Sequence, residues 1–243
     1  MKNFTSFEEI ESLCLAVVTD YMRTGSRAGT LCVDIEDLVT DYLGIPLVWE
    51  TFAEPDPGRV GFFSDGKRPL EIIRKGKKQE AVFPEGTAVV DKRLLAPWES
   101  ARRRFTVAHE GAHGLLARHL PAPAAPAFYS VYDPDAEYDG SALREMLAFS
   151  ECMANRAAAC MLMPRFLVEK AMTADGGSGR LTVYEGGVIA PSQKLRLMKA
   201  ADALGVSYTA MRIRLRELDL VDRRPVEEYL REGLGYGGGR RAG

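Results

Sequence analysis

Histidine is scarce in this chain, with three in 243 residues. Chemistry that needs many imidazoles is excluded, and the placement of each one matters. Cysteine is sparse too: Cys14, Cys32, Cys152 and Cys160 are scattered, and none stands in a C-x-x-C pair. No apolar leader follows Met1 and Lys2, so the four read as reduced, mostly buried thiols of a cytoplasmic protein rather than bridges of an exported one. No uninterrupted apolar run approaches the length that crosses a bilayer, and no membrane partner is expected. Neither sign of charge dominates. Lys and Arg number 32 against 34 Asp and Glu, a net of -2 with a pI near 6.0, which removes the bulk electrostatic case for nucleic acid and leaves only local basic patches. Gly66, Gly76 and Gly86 lack G-x-G-x-x-G spacing and read as turns rather than a phosphate cradle.

What is present is an ordinary globular composition, 46% hydrophobic and 27% charged, in a chain long enough for one large domain or two small ones. Ile10, Leu13, Cys14, Val17, Val18 and Tyr21 repeat at helical spacing over residues 7–24. Asp34 opens a second helical pattern through Ile35, Leu38, Val39, Tyr42 and Leu43, which Gly44 ends. Ile45 to Glu50 reads as a strand, and Val60–Phe63, Leu70–Ile73 and Ala88–Val90 as further short strands of a small antiparallel or mixed sheet. Glu99 through Leu120 is a long helix that Pro121, Pro123 and Pro126 stop. A loop with Tyr129, Tyr132 and Tyr138 follows, and then a helix from Ser141 through Ala159 toward Pro164. Its Ala154, Ala157, Ala158 and Ala159 permit close approach of another helix.

Two of the three histidines fall in His109-Glu110-Gly111-Ala112-His113, an H-E-x-x-H motif inside the long helix. Positions four apart lie one above the other, so both imidazoles can reach one metal, and the chemistry suggests zinc. Glu110 is placed to take a proton from an attacking water. A catalytic zinc site needs a third protein donor. Glu151 is the strongest candidate, because its helix can cross the motif helix where Ala154 and Ala158 allow the backbones together. Glu145, nearly two turns earlier, is less favoured, and Asp133, Asp135 and Asp139 are chemically possible ligands that a proline-bounded polar loop also explains. Asn155, one turn beyond Glu151, can orient a ligand from behind. The oxyanion of a hydrolytic step needs a further donor, for which His119, Tyr129, Tyr132 and Tyr138 are the candidates. On a straight helix His119 points well away from the ligand face.

Arg104-Phe105-Thr106-Val107-Ala108-His109-Glu110-x-x-His113, with Glu151-x-x-Ala154-Asn155-x-x-Ala158 and Leu162-Met163-Pro164, resembles the ImmA/IrrE metallopeptidase family from the N-terminal helix to Pro164. The resemblance implies a zincin-like fold, zinc on His109, His113 and Glu151, and Glu110 as catalytic base. It also implies limited cleavage of a regulatory protein, with a repressor-like DNA-binding protein as the expected substrate. Where the family usually has leucine and glycine between the glutamate and second histidine, this chain has Gly111 and Ala112. Ala157 stands where the family usually has phenylalanine.

The C-terminal part carries a second signal. Leu195, Met198, Ala201 and Leu204 define one helix, Gly205-Val206-Ser207 a turn, and Met211, Leu215 and Leu218 another helix, resembling a helix-turn-helix or winged-helix segment. Arg212 and Arg216 are aligned one turn apart and are the candidate DNA contacts, although Glu217 and Asp219 beside them favour a packing or substrate-recognition appendage. The expected architecture is an α/β (α+β) peptidase domain over 1–175, a helical appendage over 191–232 and a glycine- and arginine-rich flexible tail over 233–243. The competing readings are a regulatory module that binds DNA or protein around a non-proteolytic zinc site, and a zinc amidase acting on a small molecule.

Overall fold

In the computed structural model the described residues are 6–24, 29–53, 59–119 and 140–235, without the side chains of 140–149 and 232–235. The architecture is mixed, helices with small sheets, and it divides into two compact units, Met1–Pro164 and Arg165–Gly243.

The first unit begins with α1, Phe7–Arg23. Ser6 accepts from the Glu9 amide at 3.1 Å while the Glu9 carboxylate accepts from the Ser6 amide at 2.7 Å, a reciprocal cap that fixes the start. Ile10, Cys14, Val18 and Tyr21 form its buried stripe. The second helical segment covers the expected residues but changes its winding. Asp34 caps α2, Ile35–Asp37, and the backbone then widens into a π-helical turn over Leu38–Tyr42, with Leu43 N–H bonded to Leu38 O at 2.9 Å. Gly44, at φ 61°, releases the chain into β1, Leu47–Glu50.

Four more strands follow: β2, Gly61–Phe63; β3, Leu70–Arg74; β4, Lys77–Ala81; and β5, Ala88–Asp91. The central strand β5 pairs parallel with β1 and antiparallel with β2, so β2 is an edge of this sheet. β3 and β4 form a hairpin across Lys75 and Gly76, both at positive φ, as a two-residue turn requires. Strand β4 has no apolar alternation for the sequence to betray; its partner β3 supplies Leu70 and Ile72 to a core with Phe52, Phe62, Phe83 and Val89.

Two helices complete the unit, α3, Ser100–His119, and α4, Gly140–Leu162. They pack on each other, and α1 packs on α4. The alanines serve as expected: Ala154, Ala157 and Ala158 are fully buried, and the Cys14 thiol sits 3.7 Å from the Ala157 carbonyl oxygen. All four cysteines are free thiols. Among the described residues no helix is long and apolar enough to cross a membrane.

The second unit starts at Arg165, before residue 175, because α5, Arg165–Met172, packs on α6, Pro191–Leu204. Between them lies β6, Leu181–Tyr184; after them come α7, Tyr208–Glu217, β7, Val221–Arg224, and α8, Val226–Gly235. Gly205, at φ 65°, ends α6, and Ser207 caps α7 by accepting from the Ala210 amide at 3.1 Å. The helix-turn-helix spacing is therefore present. Its inward stripe is Leu197, Ala200, Ala201 and Leu204, whereas Leu195 and Met198, part of the same apolar repeat, are exposed. A wing is a hairpin, yet β6 and β7 run parallel with α6 and α7 between them, so no wing stands among the described residues. Helix α8 extends through Gly235 into the segment expected as a tail; residues 236–243 lie outside the described residues.

Candidate metal centre

Helix α3 brings the motif to the meeting point of sheet and helices because its glycines take no space. A methyl group at Gly111 would come within 2.5 Å of Val39 Cγ2, and one at Gly114 within 2.6 Å of Ile45 Cδ1. Gly111, which costs helix propensity, is thus where the π-helical turn seats against α3. Strand β2 alternates across the same contact. Phe62 joins the sheet core, while Gly61 and Phe63 face α3, the Phe63 ring 6.0 Å from that of His113.

Three side chains that lie apart in the sequence meet here in space. His109 Nε2 and His113 Nε2 are 3.1 Å apart, and Glu151 on α4 sets its carboxylate oxygens 3.1 Å from the first and 3.5 Å from the second. A tetrahedral ion with bonds of about 2.0–2.1 Å holds its donors about 3.3–3.4 Å apart, and these separations, with Glu151 presenting Oε2 to His109 and Oε1 to His113, are of that size. Two imidazoles and one carboxylate can hold a metal ion there. Asn155 Oδ1 lies 3.0 Å from His109 Nδ1 and accepts its proton, which leaves Nε2 as the lone-pair donor.

The electrostatics match that use. Burial opposes a proton on His109, but Glu151 as acceptor, the charges of Glu110 and Glu151, and Asn155 together raise its pKa above the ordinary imidazole value. Burial, followed by the charge on His109, holds His113 down at about 4. The hydrogen bond from His109 leads in lowering Glu151, against its partial burial. One cation would suit both imidazoles as neutral donors and the carboxylate as an anion.

Glu110 is buried beside this focus, and burial pushes its carboxyl up to about 7; Glu151 adds to the rise while His109 and Arg59 oppose it. Its seat is made by a residue that the motif does not contain. A methyl group at Gly61 would collide with Oε1 of Glu110 and with Thr106 Cγ2. An isolated glycine inside the Val60–Phe63 strand pattern was the available signal for such a close approach. The donors and Glu110 open on a cleft of about 500 Å³ whose sides include β2, Arg59, Arg102 and Phe105.

The remaining candidates separate. His119 donates to the Leu115 carbonyl of its own helix at 2.9 Å, a helix-end contact. Tyr129, Tyr132 and Tyr138, with Asp133, Asp135 and Asp139, lie outside the described residues, as does the side chain of Glu145. Arg212 and Arg216 belong to the second unit and line a separate cavity there. No protein-family model matches the chain, and no curated protein matches it in sequence.

Proposed function

We propose that this chain is a zinc-dependent endopeptidase of zincin-like fold, similar to the ImmA/IrrE family, that makes limited cleavages in a regulatory protein. The observation that carries this reading is the His109–His113–Glu151 donor triangle with the buried Glu110 carboxyl beside it. A site that only held a metal for structure would need no such acid-base group. Zinc, when bound, supplies Lewis acidity toward water and toward the scissile carbonyl. Glu110 takes the proton of the attacking water and passes it to the leaving amine; a carboxyl held near neutrality suits both transfers. Asn155 fixes the tautomer of His109 so that Nε2 stays a donor.

The cleft favours a peptide over a small amide. In the antiparallel register Val60 bonds to Asp91 and Ser64 to Thr87, so the alternating Gly61 turns its backbone N–H and C=O to the outer edge of β2. An extended chain can pair along such an edge beside the metal focus. The substrate class that we propose, a repressor-like DNA-binding protein in the cytoplasm, rests on the family resemblance. The test compares new protein N-termini in cells producing the native chain and the Glu110→Gln variant. Fragments of one regulatory protein that appear only with the native chain support the proposal; identical N-terminal profiles, with zinc bound in both, refute it.

A further inference from the structure

The second unit holds a cavity that the peptidase reading does not use. It encloses about 360 Å³, within the range of small-ligand sites. The parallel pair makes its floor: Leu181 and Val183 sit in register with Val221 and Arg223, so that all four line the same cavity. Helix α7 makes a wall with Arg212 and Arg216, one turn apart. The rim is Glu185-Gly186-Gly187, and both glycines stand at positive φ, 75° and 79°, with nothing within 4 Å of where a side chain would begin.

Three arginines, two from a helix and one from a strand, therefore line one cavity with an apolar floor. Neighbouring arginines are neutralised: Arg214 pairs with Glu217 at 3.2 Å, Arg180 with Asp222 and Arg224 with Glu228. Among the described residues no carboxylate pairs with Arg212, Arg216 or Arg223. Arg212 Nε is buried and has no hydrogen-bond acceptor. Arg212 also lines the cavity, so an oxyanion held there can pair with its guanidinium group in the planar, bidentate way that such groups prefer.

We propose that this cavity binds a small organic molecule with one oxyanion head, phosphate or carboxylate, on a short apolar or aromatic body. The head meets Arg212 and Arg223, with Arg216 adding charge at the mouth, and the body lies on Val183 and Val221. The concavity and the apolar floor favour a small molecule over DNA, whose phosphates are met on open surfaces by solvated cations. Glu185 on the rim acts in the same direction, since it repels a polyanionic track while tolerating one neutralised head. This site stands independently of the metal centre.

The test is titration of the full-length, nitrogen-15-labelled protein with phenyl phosphate, benzoate, inorganic phosphate and benzyl alcohol, followed through the Arg212 Nε–H and the Gly186 and Gly187 amide resonances. Saturable shifts with phenyl phosphate or benzoate are expected, weaker ones with inorganic phosphate and none with neutral benzyl alcohol. Which aromatic oxyanion binds tighter distinguishes a phosphate head from a carboxylate. The Arg212→Gln/Arg223→Gln double variant should weaken binding by about tenfold or more. Arg216→Gln, at an exposed residue, should weaken it less and serves as the second variant if the double one does not fold. No saturable shift with either aromatic oxyanion, or binding unchanged in these variants, would overturn the proposal. So would a mixed-sequence DNA duplex that moves the same resonances with steep salt dependence, which would make the face a nucleic-acid surface.

Discussion

Gly61 and Glu110 touch so closely that no side chain fits between them: a methyl group on Gly61 would overlap Oε1 of the carboxyl. An edge strand thus sets the position of the carboxyl to which the proposed mechanism assigns proton transfer. Gly61→Ala should push the Glu110 carboxyl off its seat while leaving His109, His113 and Glu151 in place. Zinc content should stay near one per chain. Cleavage should fall by about a hundredfold, the order expected when a catalytic group is displaced by about 1 Å. Equal kcat for the variant and the native chain would show that Glu110 is not positioned by this contact.

Glu110→Gln separates the base from the metal site more directly. Glutamine keeps the size of the buried side chain and cannot accept the proton, so the zinc-loaded variant should lose about 10²–10⁴-fold in kcat with little change in KM. Metal analysis of the same sample checks that the zinc remains. Full cleavage by a zinc-loaded Glu110→Gln protein would assign the base elsewhere.

The donor set makes a graded prediction. Glu151→Ala removes one of three ligands and should weaken zinc binding far more than Asn155→Ala. The latter leaves all three ligands and loosens the His109 ring, for which about 10–100-fold in affinity is the usual scale. Chelation should also lower the thermal midpoint of the native protein, because a ligand held only by the folded state stabilises it by mass action, about 4 kcal/mol at a thousandfold excess over Kd. A competition titration against a zinc-responsive dye ranks the three proteins, and equal affinities would point to a different third ligand.

How much of this was legible depended on whether the signal was periodic. His109 and His113 announce themselves by spacing, and Glu151 follows from the Ala154 and Ala158 repeat on its own side of α4, because both are regularities of one helix face. In α6 the spacing marks the helix, and Ala201 and Leu204 are buried, but Leu195 and Met198 are large, apolar and exposed, while Leu197 and the small Ala200 complete the inward stripe. Strand β4 has no periodic signal at all, since Lys77-Lys78-Gln79-Glu80 is held by the ladder to β3 rather than by burial. The parallel pairing of β6 with β7 joins segments separated by two helices, a long-range choice that local spacing does not encode.

The contact between Gly111 and Val39 tests the packing that places the motif, and two effects of opposite sign decide it. Alanine in mid-helix is favoured over glycine by about 1 kcal/mol, so on propensity alone Gly111→Ala should stabilise. Against that, the new methyl would lie 2.5 Å from Val39 Cγ2. Valine is short and stiff at χ1, and this one is fully buried in the π-helical turn, so it cannot swing aside. Overpacking of this kind costs about 1–3 kcal/mol, and the net effect should be destabilising. In a Val39→Ala background the obstacle is gone and the sign should reverse, with Gly111→Ala now gaining up to about 1 kcal/mol. Urea unfolding of the four proteins of this cycle measures the coupling. A Gly111→Ala change that stabilises equally in both backgrounds would mean that the π-helical turn does not press on α3 at the metal site.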